Sequence, residues 1–397
     1  MTAPGTVAVA GTFDTKAVEL NYIADLIRDA GVPVRKVDLG TSGAAAEVDV
    51  AASEVAGWHP GGASAVLGQN DRGVAVTAMA QAFAHYTAQA DWIGGMIGAG
   101  GSGGTALVAP AMRVLPVGVP KVLVSTVASG NVGAYVGPSD IAMIYSVTDV
   151  QGLNRISRQV LGNAAHALVG MMRHPIPDAT HKPAVGLTMF GVTTVCVSHI
   201  AEALAADHDP LVFHATGTGG QSMEKLVDSG MIGAVIDLTT TEIADMIVGG
   251  VFPATKDRFG AVIRTGAPYV GSVGALDMVN FGARETVPER FAARQFHVHN
   301  PQVTLMRTTV DENHAFGVWI AERLNEMTGP VRFLLPKGGV SALDAPDMPF
   351  NDPEADAALL AAIENGVTDK SRLIQVAHNL NTIEFAEAAL TAYKEIT

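Results

Sequence analysis

Apolar positions along the chain recur with two periods that take turns. The short run TVAVAG reads as a buried strand, and TKAVELNYIADLIRDAG then places apolar residues at helical spacing until a glycine stop at Gly31. VRKVDLG reads as a second strand ending in a Gly/Ser/Ala loop around Thr41–Ala46. The pattern then predicts helices near Val48–Ala56 and Arg72–Gln89, strand WIGGMIGAG, a glycine loop, and a helix to about Arg113. Strands KVLVSTV and IAMIYSV follow, then a long helix from about Gln151 to Arg173.

RHPIPDATHKP breaks the pattern, being polar, proline-rich and without period, and reads as a linker over about residues 174–183. Beyond it the alternation restarts with strand AVGLTMF, helix Thr194–Ala206, strand LVFHATG, a glycine turn, a helix to Ser229 and strand AVIDLTTT. Strands YVGSVGA, FHVHN, VRFLLPKGG and LIQVAH are expected later, with helices near Glu312–Met327, Pro353–Gly366 and Ile383–Lys394. The fold expected is α/β: two tandem doubly wound (Rossmann- or flavodoxin-like) domains, 1–178 and 184–397, with mainly parallel sheets. The halves also echo each other: GAGGSGGTALV and HATGTGGQSMEKLV each run strand, glycine turn, helix.

Composition narrows the possibilities. Apolar residues make up 48% of the 397 positions and charged residues 16%, which suits strands buried on both faces. A net charge of −14 with no basic cluster argues against a nucleic-acid partner. Trp92–Met112 carries no charge and has the length of a membrane span, but its glycines and Pro110 favour a strand, loop and helix, so no membrane partner is expected. The lone Cys196 excludes a disulfide framework, and MTAPGTVAVAG lacks the basic start of a signal peptide; both fit the cytoplasm.

Ligands of open α/β sheets sit beyond the carboxyl ends of the strands. Four segments of the first half fall there: GTFDTK, with Thr12, Phe13, Asp14 and Lys16; GTSG, Gly40–Gly43, with Thr41; GQNDRG, with Arg72; and the glycine loop Gly101, Ser102, Gly103 and Gly104. A glycine loop opening a helix offers amides and the helix dipole to an anion, and Arg72 can add a bidentate contact. The bland alternatives are an N-cap at Thr12 or Asp14, plain turns, and close helix–strand packing. The second half offers His214, Asp277, Asn280, His297, His299, Arg307, Lys337, Ser341, Asp344, Asp352 and His378. Histidines at strand ends suit acid–base work or metal binding, although each alone is more simply a local hydrogen-bonding group. No HExxH pattern is present.

The longer stretches carry a resemblance. GTFDTK, GGSGGTALVAPAMRVLPVGVPKVLVSTVASGNV, YVGPSDIAMIYSVTDVQGLNRISR, VFHATGTGG, DLTTTEIAD, GALDMVNFG, VHNPQVTLMRTT and LLPKGGVSALDAPDMPFNDPEAD resemble the Tm-1-like ATP-binding family, also called UPF0261. The resemblance spans essentially the whole chain. It implies a two-domain α/β protein that binds ATP through its first domain and forms a dimer. Carried over motif by motif, the nucleotide contacts are Thr12, Phe13, Asp14, Thr41, Arg72 and the Gly101–Gly104 loop with Ser102 and Gly103, followed by Ser125, Thr126 and Ser129.

Three functional readings follow. In the first, ATP, with Mg²⁺ held by Asp14, serves an enzyme acting on a small polar metabolite between the domains, with His214, Asp277, His299 and Lys337 as catalytic candidates; Lys16 or Lys121 then replaces the missing Walker lysine. The second is a non-catalytic dimer gated by ATP. The third is an ATP-independent lyase, isomerase or hydrolase acting on a small acid.

Overall fold

The structure is a computed structural model that describes residues 5–42, 47–174, 176–177 and 181–397. Gly43, which ends the GTSG loop, and positions 175 and 178–180 of the linker lie outside the described residues. The chain divides into two compact units, Met1–Asp178 and Ala179–Thr397.

The first unit is built on β1 (Thr6–Gly11), β2 (Val34–Asp38), β3 (Ile93–Gly100), β4 (Lys121–Ser125) and β5 (Ala142–Tyr145). They form one parallel sheet in the order β2-β1-β3-β4-β5. Its main helices are α1 (Phe13–Asp29), α2 (Arg72–Gln89), α3 (Ser102–Val114) and α4 (Arg155–Arg173). Strand alternation sorts the core into two layers. Val7 and Val9 of β1 pack with α1 and α4, whereas Ala8 and Ala10 pack with α2 and α3. The chain therefore changes face between β1 and β3, and the topological switch point lies between those two strands.

The second unit repeats the plan with one more strand. Here β6 (Ala184–Met189), β7 (Asp209–His214), β8 (Ala234–Thr239) and β9 (Tyr269–Gly274) are followed by β10 (Met278–Phe281), β11 (Phe296–Asn300) and β12 (Val303–Arg307). β13 (Val331–Pro336) and β14 (Leu373–Val376) complete a parallel sheet of order β14-β13-β9-β8-β6-β7, while β10-β12-β11 make a separate antiparallel sheet. The helices are α5 (Thr194–Leu204), α6 (Thr218–Asp228), α7 (Val310–Glu326), α8 (Pro353–Gly366) and α9 (Ile383–Ile396).

Both units have the expected doubly wound parallel sheets. The antiparallel sheet is new: FHVHN is one of its two edge strands, and its other two strands come from MVNF and VTLMR, which the apolar pattern does not mark. The helix expected over Val48–Ala56 is confined to Ala52–Ala56, because Val50 is drawn into a bridge with Val37. The long helix starts at Arg155 rather than Gln151, behind a capping box in which Asn154 accepts the Ser157 amide at 2.9 Å. Trp92–Met112 resolves into β3 and most of α3, and no helix among the described residues is long and apolar enough to cross a membrane.

Candidate functional site

The carboxyl ends of five parallel strands form the rim of the first sheet. After β1, Thr12 stands at the N-cap of α1, but its side chain makes no cap and instead meets the Thr15 hydroxyl at 2.8 Å. The free amide is taken from elsewhere: the Asp38 carboxylate, at the end of β2, accepts the N–H of Phe13 and of Gly40, each at 2.9 Å. The expected N-cap role of Thr12 or Asp14 is thus filled by Asp38, which the sequence did not single out. Burial raises the pKa of Asp38, the Asp14 carboxylate adds to the rise, and the two amides offset part of it. Asp14 is exposed and accepts the Ser42 hydroxyl at 2.7 Å, which ties the GTFDTK and GTSG segments together beside Thr41.

The glycine loop follows β3 at the switch point. Gly101 is the N-cap of α3 without any side-chain cap, so the first amides of a 13-residue helix face the rim. A Cβ built on Gly101 would stand 3.6 Å from the Thr126 hydroxyl, and one on Gly103 would stand 4.0 Å from the Arg72 guanidinium. At Gly104 the nearest atom is the Ala99 carbonyl, also 3.6 Å away. None of these contacts is tighter than ordinary van der Waals packing, and none of the three glycines has a left-handed backbone. Protein packing therefore does not require glycine here, and the packing explanation fails for residues 101, 103 and 104. The structure brings most of the sequence-predicted set to one rim, with Thr12, Asp14 and Thr41 on one side of the switch point and Arg72, Gly101, Ser102, Gly103, Gly104 and Thr126 on the other; Phe13 is instead buried in the core, and its N–H is held by Asp38.

Some first-unit expectations fail on geometry. Lys121 opens β4 opposite Met96, four residues before Gly100, hence about 13 Å from the loop at ~3.3 Å per residue. It is buried there against the Pro116 and Val119 carbonyls and pairs with Asp140 at 2.7 Å, so it cannot stand in for a Walker lysine. Lys16 donates to the Val150 carbonyl. Ser125 is buried, and its hydroxyl meets that of Thr105 at 2.6 Å, which fixes the loop after β4 to α3 and leaves Ser125 a structural role.

In the second unit the glycine turn is explained differently. It follows β7, an edge strand, whereas the loop of the first unit follows the third strand of its sheet, so the echo in sequence does not mark equivalent positions. Its amides are already occupied: Glu242 Oε1 accepts the N–H of Gly217 at 2.7 Å and of Gly220 at 3.1 Å. A Cβ on Gly220 would fall 2.2 Å from Glu242, and one on Gly219 would fall 1.8 Å from the His214 carbonyl. Close packing does require glycine at these positions. Glu242 belongs to a buried ionic cluster in which Arg258 pairs with Glu224 at 2.9 Å, Asp237 at 2.8 Å and Glu242 at 3.0 Å. Desolvation raises the pKa of both glutamates against the opposing pull of Arg258.

The four catalytic candidates do not assemble. His214 ends β7 and Lys337 follows β13, four strands across the sheet, or about 19 Å at ~4.8 Å per strand. Lys337 is exposed and pairs with Glu364 at 2.8 Å, His299 is exposed on edge strand β11, and the exposed His214 ring lies 5.2 Å from Phe190. Asp277 alone is enclosed, and it gathers other candidates. It accepts the Ser341 hydroxyl at 2.8 Å, while the Arg307 guanidinium reaches Asp344 at 3.4 Å and Asp356 at 3.2 Å. Asp356 sits in α8 and looks in the sequence like any polar helix position.

Family models match both units: the Uncharacterised protein family (UPF0261) N-terminal domain over residues 5–177 and its C-terminal domain over 182–397. The chain belongs to the UPF0261 family. UPF0261 protein RA0729 of Rhizobium meliloti is 56% identical over 390 residues, covering 98% of each chain. The tomato (Solanum lycopersicum) ToMV resistance protein Tm-1(GCR237) is 42% identical over 417 residues, and the match covers 98% of this chain but 55% of the tomato protein. A solved structure of A-type ketoreductases from a modular polyketide synthase covers 94% of this chain at 12% identity with a TM-score of 0.22, too slight a likeness to bear on fold or function. The UPF0261 matches span both units and assign no reaction to either.

Proposed function

We propose that the first unit binds the phosphates of a nucleotide, ATP by the family resemblance, at the switch point between β1 and β3. The observation that carries this reading is the open glycine loop. Three glycines that neither backbone conformation nor packing demands leave the uncapped amides of α3 accessible, with Arg72 and Thr126 beside them. Small size at such positions serves a ligand that approaches the backbone closely. In a chain of net charge −14, local amides and one guanidinium are the means of holding an anion.

The residues also fit Mg²⁺, which takes one or two carboxylates and fills its remaining positions with phosphate oxygens and water. Asp14 would hold it, with Asp38 behind; both flank Gly40, where a Cβ would stand 3.1 Å from Asp14 and 3.2 Å from Asp38. Bound there, Mg²⁺ would neutralise phosphate charge. Arg72 would pair with a terminal phosphate, and the Thr12 and Thr126 hydroxyls would orient the chain of phosphates.

Thermal unfolding with ATP, ADP and inorganic phosphate, with and without Mg²⁺, tests the reading through linkage. ATP should raise the melting temperature of the wild type, and Gly103→Val should abolish that rise while keeping the circular dichroism of the native fold. A Gly103→Val protein still stabilised by ATP would place any nucleotide elsewhere.

A further inference from the structure

The segment that joins β13 to α8, residues 337–352, is fastened by one group of side chains at the carboxyl rim of the second sheet. Arg307, the last residue of β12, donates through Nε to the Phe350 carbonyl at 2.7 Å and through Nη2 to the Asp352 carbonyl at 3.4 Å. Asp344, within the segment, accepts the Val340 N–H at 2.8 Å and the Asp352 N–H at 3.3 Å. Ser341 donates to Asp277, just after β9, and Asn379 adds bonds to the Gly338 and Ser341 carbonyls at 3.0 and 2.9 Å. Between these anchors, Pro346–Pro349 is exposed.

The charges at this fastening do not balance if every carboxyl is ionised. Arg307 Nη2 faces the carboxyls of both Asp344 and Asp356, at 3.4 and 3.2 Å, and its Nη1 faces the Asp277 backbone carbonyl at 3.5 Å, so three enclosed carboxyls have one guanidinium among them. Carboxylates crowded around one donor nitrogen repel each other, and protonation of one relieves that repulsion. Asp277 is fully buried, and its Oδ1 has no hydrogen-bond partner among the described residues. The other charged groups nearby are committed: Arg294, which donates to the Arg307 carbonyl, pairs with Glu312 at 2.6 Å, and Lys337 pairs with Glu364. Asp352 caps α8 through its own carboxylate.

We propose that Asp277, Asp344 and Asp356 form a proton-operated clasp around Arg307, which holds the 338–352 strap closed over the rim while protonated and loosens it on deprotonation. The ligand of this cluster is the proton. Burial and mutual repulsion raise Asp277 to about 7 and Asp356 to about 8. An open strap returns these groups to water and to ordinary carboxylate behaviour. The closed form therefore holds more protons than the open one between about pH 4 and pH 8. Closure is favoured at the acid end, weakens as pH rises across that window and levels off above it.

Hydrogen–deuterium exchange on the full chain tests this, with rates corrected for intrinsic pH dependence. In the wild type, protection of peptides from 338–352 should fall by about tenfold or more between pH 5.5 and 8.5, the change that one released proton brings per pH unit. Peptides of β6, β8 and α5 should keep theirs. Asp356→Asn, which can hydrogen-bond but not ionise, should hold its strap protection at pH 8.5. If that variant fails to fold, Asp277→Asn takes its place and should also be better protected than the wild type at pH 8.5. Constant wild-type protection, loss spread evenly over the second unit, or a variant that follows the wild-type profile would each overturn the proposal.

Discussion

Glycine has two different causes in this chain, and a single added methyl separates them. At Gly103 a Cβ meets nothing closer than 4.0 Å, and the position is helical, where alanine is about 1 kcal/mol better than glycine. Gly103→Ala should therefore leave urea unfolding of the first unit unchanged or slightly raised. At Gly220 the same methyl would fall 2.2 Å from a buried carboxylate that is held by two amides and Arg258. Gly220→Ala should destabilise the second unit by about 3 kcal/mol, the upper range for overpacking. Equal effects at the two sites in denaturant titrations would remove the distinction between an open loop and a filled one.

At the scale of the element, apolar runs were clearest in β1, β3 and β4, the inner strands of the first sheet, since a parallel strand buried on both faces leaves few polar positions to blur the run, whereas the edge strands β2 and β5 are partly exposed. The antiparallel pair β10 and β12 escaped because its buried positions are partly polar: Asn280, Thr304 and Arg307 are all enclosed. The candidate site divides along the same line. The glycine loop was legible from its place at the end of β3, and Arg72 stands at the start of α2 rather than at a strand end, but Asp38, Glu242 and Asp356 act through tertiary contacts that no local pattern announces.

The buried Arg258 cluster shows what such contacts are worth. Its three carboxylates depend on one cation, so Arg258→Met should cost about 3–5 kcal/mol. With the cation gone, Glu224 and Glu242 would keep protons that the unfolded chain releases, so native-state pKa values would rise further above unfolded ones. Stability would then be greatest in acid and decline with rising pH, and the deficit should be larger at pH 8 than at pH 5. Trp319, which lies 5.7 Å from the Phe259 ring beside this cluster, reports the transition by fluorescence in a background with Trp58 and Trp92 replaced by Phe. A deficit independent of pH would mean that the cluster is not charged as described.

For the whole molecule, a glycine turn in each unit suggests two anion sites, but the second turn lies at an edge strand rather than at the switch point, and Glu242 already occupies it. The second unit carries its own anion on the amides of its glycine turn, so an external phosphate would have to displace a side chain anchored by Arg258. Among the described residues no side chain caps the helix that opens at Gly101 in the first unit. The consequence is a binding stoichiometry: isothermal titration of the full chain with ATP should reach equivalence at one nucleotide per polypeptide, and a value of two would mean that Glu242 yields its seat.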